Sequence, residues 1–227
     1  MKGYEDVPRI KLTPRMPIII RIDGKSFHTY TKGFNRPWDA TVQCAMSLAA
    51  IDLVKENIGA EIAYIQSDEI SLVLNTYKTF ETQPWFDGNV QKIASVSASI
   101  ATYAFNSIMS TNKRALFDSR CFVVPKEDVV NYFIWRQQDA IRNSISSLAQ
   151  STFPHKLLQG KNAIKMKQML CEAGCPWENV SIKNQRGWCV KKITQEDSKS
   201  NIVEDNNIPL FQEQRDYIEK FLEQNVI

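Results

Sequence analysis

The chain has 227 residues, 43% of them hydrophobic, and a formal net charge of +3, enough apolar material to bury one core without disulfide or metal staples. It opens with no charged-then-apolar signal and holds no uninterrupted apolar span of about eighteen residues, so neither secretion nor membrane insertion is expected and the cytoplasm is the default compartment. In chain order, Pro17-Ile18-Ile19-Ile20-Arg21-Ile22 is β-branched almost throughout and closes on Asp23-Gly24, which predicts a buried strand. Asp39 to Asn57 carries Val42, Met46, Ala49, Leu53 and Val54 at helical spacing, with Asp39 as N-cap and Gly59 past its end.

Glu61 to Ile65 and Ile70 to Leu74 are apolar runs separated by four polar residues, which predicts a hairpin with Asp68 in its turn. Val90 to Ile108 repeats apolar residues as a second helix, and Cys121 to Val124 predicts a strand stopped by Pro125. Strand, helix, hairpin, helix, strand is the split βαβ, ferredoxin-like order, an α+β fold with an antiparallel sheet and helices on one face. A hairpin strand inserted between two parallel strands runs antiparallel to both, so Asp23 and the hairpin tip are expected at one sheet edge. Beyond this unit, Asp128 to Ser151 predicts a long helix, Lys161 to Ala173 a basic helix ended by Gly174, and Gly187 to Val190 a strand. Residues 195 to 207 are expected to form a polar linker, and Phe211 to Val226 a last amphipathic helix.

Two carboxylates at close range repel and raise each other's pKa unless a divalent cation lies between them. Asp23 and Asp68 are therefore candidates to hold Mg²⁺, an ion bound through few carboxylates together with substrate phosphates. Gly24 lets the main chain approach an ion or a phosphate, and Glu69 can act as a supporting acid. Taken singly, an Asp-Gly after a strand is a turn, and Asp68-Glu69 decorates a solvated hairpin tip. The five cysteines point to reduced thiols, and the spacing of Cys171, Cys175, Cys189 and His155 is poor for zinc. No Gly-x-Ser-x-Gly, Walker or dinucleotide pattern is present.

Arg21-Ile22-Asp23-Gly24 with Phe27-His28, then Pro37 and Asp39, Ser67-Asp68-Glu69, Phe117 to Arg120, and Trp135 to Asp139 resemble, in order, the motifs of the tRNA(His) guanylyltransferase family and its 3′-to-5′ polymerase branch. The resemblance covers about residues 2 to 190. It implies a polymerase-palm core, residues 1–150, and a C-terminal extension, residues 151–227, with helical character, packed on the core and serving tRNA binding or oligomerisation. It also implies nucleotide addition to the 5′ end of tRNA: activation of the RNA by ATP, then attack by the 3′-hydroxyl of an incoming triphosphate such as GTP. Asp23, the Gly24 carbonyl and Asp68 resemble the ligands of two Mg²⁺ ions.

Nucleotide contacts are expected from Gly24, Lys25, Ser26, Phe27, His28, Lys32, Arg36, Asp39 and Ser67. Of these, Lys25, Lys32 and Arg36 crowd the segment where triphosphate oxygens would sit. tRNA contacts are expected from Arg136, Asp139, Arg142, Asn143, Lys161, Lys165, Lys183 and Arg186. Eukaryotic enzymes of the family carry His-Ile-Asn-Asn where this chain has Ile141-Arg142-Asn143-Ser144, which favours templated repair of tRNA 5′ ends over non-templated guanosine addition. A palm-core nucleotide cyclase and a non-catalytic RNA-binding module are the more distant alternatives. A homodimer or homotetramer is expected, and two basic stretches, residues 1–36 and 155–192, suit a tRNA-holding surface.

Overall fold

The computed structural model describes residues 1–56, 59–194 and 200–223. Six strands form one antiparallel sheet: β1 (Ile18–Gly24), β2 (Ala60–Gln66), β3 (Glu69–Leu74), β4 (Phe117–Val123), β5 (Trp188–Thr194) and β6 (Ser200–Asp205), in the order β4-β1-β3-β2-β5-β6. The first four strands have the order expected of the split βαβ unit, with β3 antiparallel to both β1 and β2. The helices are α1 (Lys2–Asp6), α2 (Phe27–Tyr30), α3 (Ala40–Glu56), α4 (Val90–Ile108), α5 (Lys126–Thr152), α6 (His155–Leu158), α7 (Ala163–Glu172), α8 (Ile182–Arg186) and α9 (Asp216–Glu219).

Alternation along β1 explains its unbroken isoleucine run. Ile18, Ile20 and Ile22 pack with Met46 and Leu53 of α3 and with Ile93, Ala101 and Phe105 of α4. Ile19 points the other way, with Tyr64 and Val73, against Val129, Val130 and Phe133 of α5 and against Phe211, Ile218 and Leu222. A strand covered on both faces needs no polar face until its end. The two crossover helices share one face, as the order of elements requires, while α5 and the C-terminal segment cover the other. The resulting sandwich supports the site edge from both sides.

The C-terminal part departs from the expected organisation. Residue 150 lies inside α5, and β5 pairs with β2, so the residues after it continue the core sheet. The expected linker at 195–207 is corrected in part: residues 200–205 are strand β6, whose main chain is satisfied by β5. Residues 195–199 lie outside the described residues. The expected helix from Phe211 to Val226 is one turn, α9, followed by a short 3-10 turn at Lys220–Leu222. Its apolar residues pack as separate anchors, and Val226 lies outside the described residues. A third small cluster, Ala149, Leu158 and Leu170 with Phe153, Met166 and Trp177, docks α6 and α7 on the far half of α5. No helix among the described residues is long and apolar enough to cross a membrane.

Candidate active site

The hairpin turn brings the two distant acids together. Asp23 is the register partner of Glu69, and the Gly24 N–H donates to the Asp68 carbonyl at 3.2 Å. A Cβ placed on Gly24 would meet Asp68 Oδ2 at 2.8 Å and the Phe27 ring at 2.4 Å, so only glycine fits where the Asp68 carboxylate overhangs the end of β1. Ser67 sits at φ 49°, a strained turn conformation, and its hydroxyl donates to Asp68 Oδ1 at 3.0 Å.

Burial, then the Asp23 charge, pushes the Asp68 carboxyl up to about 6 against the bond from Ser67. Asp23 is raised as well, by burial first and then by Glu69, with Asp118 adding to the effect and Arg21 and Arg120 opposing it. Asp118 is the residue directly opposite Asp23 on β4. The motif Phe117-Asp118-Ser119-Arg120 was visible in the sequence, but only strand pairing reveals this third acid. Among the described residues no group of three or more His, Cys, Asp and Glu side chains is arranged to hold a metal ion, so any ion here must complete its shell from main-chain carbonyl, water or substrate oxygen.

Glu69 is differently placed from its neighbours. Its carboxylate is buried and accepts two 2.7 Å bonds from Arg136, one from Nε and one from Nη2. Arg21 Nε lies 3.4 Å away, and Ser71, itself bonded to Tyr132, donates at 3.3 Å. An acid so surrounded braces α5 against the hairpin.

Arg136, expected to meet tRNA, is buried with it and also bonds Asp139 at 2.9 Å, and a guanidinium enclosed by two carboxylates presents little to an outside phosphate. Asp139, also expected to meet tRNA, is half-buried and accepts from Arg136, Arg142 and Asn143 of its own helix.

Beside Asp68 opens a cleft of about 340 Å³, walled by the segment after β1, the hairpin turn, the second half of α5 and α8. Phe27, His28, Arg36, Asp39, Ser67, Asn143 and Lys183 of the expected residues line it. Phe27 does so while anchored among Tyr30, Phe105 and Phe117, and His28 and Arg36 are exposed.

Asp39 lines the wall but caps α3, accepting from Thr41 N and Val42 N, while its second oxygen accepts from Asn35 N. These bonds let Asp39 shape the wall of the cleft. Lys25, Ser26 and Lys32 are exposed on the same edge outside the cleft.

Arg142, Lys161 and Lys165 are exposed, Arg142 in a pair with Asp139 and Lys165 bonded to Gln168. Lys183 is tied to Glu204 at 2.7 Å over the Trp188 ring, and the Arg186 carbonyl accepts from Tyr64. Sequence reading missed Trp38 of the cleft and the Gln43–Asn184 bond at 2.6 Å that ties α3 to α8 across it. A polar Gln on one helix and an Asn on another carry no signal until the chain is folded.

Comparison with known proteins agrees with this geometry. The family model for Thg1, tRNAHis guanylyltransferase, matches residues 1–125. A solved bacterial tRNA(His) guanylyltransferase (Thg1)-like protein in complex with ATP superposes with a TM-score of 0.93 at 44% identity, covering 99% of this chain and 98% of that one. Another, in complex with GTP, gives 0.88 at 42% identity, with 98% and 96% covered. The tRNA(His) guanylyltransferase of Schizosaccharomyces pombe is 32% identical over 171 residues, 70% of this chain and 61% of that protein. With an antiparallel palm-type sheet, two acids converging beside a cleft, and a family match that contains both acids, this chain belongs to the Thg1 family of nucleotidyltransferases.

Proposed function

We propose that the protein adds nucleotides in the 3′-to-5′ direction to the 5′ end of tRNA, in the manner of template-dependent 5′-end repair. The observation that carries the reading is the convergence of Asp23 and Asp68 over Gly24 at the mouth of the cleft. Related proteins have been solved with ATP and with GTP, and both nucleotides are proposed as substrates here.

Asp23, the Gly24 carbonyl and Asp68 fit Mg²⁺. Two carboxylates that burial and neighbouring acids keep from ionising freely are relieved by a hard cation, and the glycine lets the Asp68 carboxylate lie over the end of β1. When bound, such ions neutralise phosphate oxygens and orient attacking and leaving groups. The protein's own share is positioning. Arg136 locks Glu69, Glu69 fixes the start of β3, and the turn before it presents Asp68 against Gly24, next to Asp23. Glu69 therefore acts as a supporting acid. His28 and Arg36 line the cleft, where Arg36 meets nucleotide phosphate, and Lys25 and Lys32 extend positive charge along the edge.

In the proposed cycle the RNA 5′-phosphate oxygen attacks the α-phosphate of ATP and expels pyrophosphate. The 3′-hydroxyl of GTP then attacks the activated 5′ phosphate, forms the phosphodiester and expels AMP. Lys161, Lys165 and Arg142, exposed on α5 and around α7, supply the tRNA-facing charge. Assembly as a dimer or tetramer is part of the same proposal.

The test is extension of a 5′-truncated, 5′-monophosphorylated tRNA with ATP, GTP and Mg²⁺. Asp68→Ala should keep the fold and lose at least a thousandfold in rate; turnover near that of the unsubstituted protein would refute the assignment.

A further inference from the structure

We propose that Trp135 is a stacking platform for a nucleobase, and the proposal rests on the nucleotidyl-transfer reading above. Trp135 stands on α5 one turn after Tyr132 and is 49% exposed. A singly exposed aromatic is ordinary on a protein surface. Trp135 differs in how firmly it is held and in what holds it. The Arg136 guanidinium lies 4.4 Å from its ring centroid, and the Tyr132 ring meets it at 6.0 Å and 61°. Arg136 is itself immobilised by its two bonds to Glu69, and Glu69 is the register partner of Asp23. The indole is thus held through Arg136 and Glu69 to the strand end that carries Asp23, with the rest of its surface in solvent. A base stacking on it costs little side-chain entropy, because the ring is already placed.

The surrounding charge suits a nucleotide. Helix α5 packs on the sheet face to which Ile19, Arg21 and Asp23 alternate. On that face Arg21 and Arg120 are directly opposed on neighbouring strands, as are Asp23 and Asp118 two residues on. Directly opposed like charges destabilise a sheet. Arg21 has Glu69 at 3.4 Å and Asp23 at 3.9 Å, and Arg120 has Asp118 at 3.6 Å, none of them a short charge-assisted bond. A ligand with anionic phosphates and a flat, polarisable base answers both features: the phosphates lie toward the arginines and the base lies on the indole. The base belongs either to the incoming nucleoside triphosphate or to the first nucleotide of the RNA. Both present the same stacking chemistry.

Fluorescence titrations of the full chain separate these sources and need no turnover. GTP alone and a 5′-monophosphorylated RNA alone are titrated into the unsubstituted protein, Trp135→Phe and Trp135→Leu. One of the two ligands should quench a component of the emission that Trp135→Phe lacks, and that ligand identifies the source of the base. Trp135→Leu should bind the same ligand about tenfold or more weakly, while Trp135→Phe stays within about threefold, since a smaller aromatic still stacks. Equal quenching in Trp135→Phe, or unchanged affinity of Trp135→Leu for both ligands, would overturn the assignment. If Trp135→Leu does not fold, the fluorescence of Trp135→Phe decides alone. Absence of RNA extension by the unsubstituted protein would instead refute the proposed function, and the titrations would still report on Trp135.

Discussion

Replacing Arg136 with methionine isolates the ionic brace beneath the acid edge. Both partners are buried, each at 6% exposure, and the pair is joined by two 2.7 Å charge-assisted bonds. Removing one member of such a pair leaves a buried charge uncompensated, at a cost of about 3–5 kcal/mol. Arg21, 3.4 Å from Glu69 Oε2, still offsets part of that charge, so the lower end of the range is expected, about 3 kcal/mol. At this chain length that is a fall in melting temperature of roughly 6–12 °C. Glu69→Gln in the same background removes the orphaned charge and should recover about half of the loss, giving a strong positive coupling in a double-mutant cycle. Urea unfolding at pH 7 of the two single variants and the double variant measures it. A loss below about 1 kcal/mol for Arg136→Met, or additive losses in the double variant, would refute the argument that Glu69 is held by Arg136.

Gly24→Ala should cost activity far more than stability, because its Cβ would push against Asp68 Oδ2 at 2.8 Å and the Phe27 ring at 2.4 Å; rate and melting temperature measured together check it, and an active variant would sink the claim of close approach. Asp68 gives a pH signature. Its carboxyl is held at about 6 against an ordinary 3.8, so the fold favours the protonated form, and stability without divalent ions should fall as pH rises between those values and level off above. The expected drop is on the order of 1–2 kcal/mol after solvent screening, Asp68→Asn should remove most of it, Asp23 keeping the remainder, and added Mg²⁺ should reduce it; denaturation at pH 4, 5, 6 and 7 tests all three. The double variant Lys161→Ala, Lys165→Ala should weaken tRNA binding several-fold at moderate salt, flatten its salt dependence and leave the affinity for free ATP unchanged, as filter binding across a salt series would show.

Much of the core was legible because local chemistry and tertiary context agree there. The isoleucines of β1, the Asp39 cap, the helical spacing of Val90 to Ile108 and the four-residue gap of the hairpin each specify their own element, and together they leave one economical strand order. The C-terminal third was less legible. β6 is a polar edge strand, Ser200–Asp205, with no apolar alternation to announce it, and it exists because β5 offers an unpaired edge. The apolar residues from Phe211 onward suggested a helix by spacing, yet Phe211, Ile218, Phe221 and Leu222 plug the far face of the sheet from short turns.

The site divides along the same line. Asp23-Gly24 and Asp68 were readable because each closes an apolar run, and a sheet brings such ends to one edge. Arg136 and Asp139 were readable as polar residues on a long helix, but a charge on a helix looks the same in sequence whether it faces RNA or a buried carboxylate. Only packing decided that, by setting α5 across the face on which Glu69 is buried. Sequence by itself determined the elements of the split βαβ core, their order and the pair of acids, since those depend on neighbours within a few residues. Tertiary structure alone decided which charges are spent inside the molecule and which remain for a substrate, because desolvation and pairing depend on groups far away along the chain.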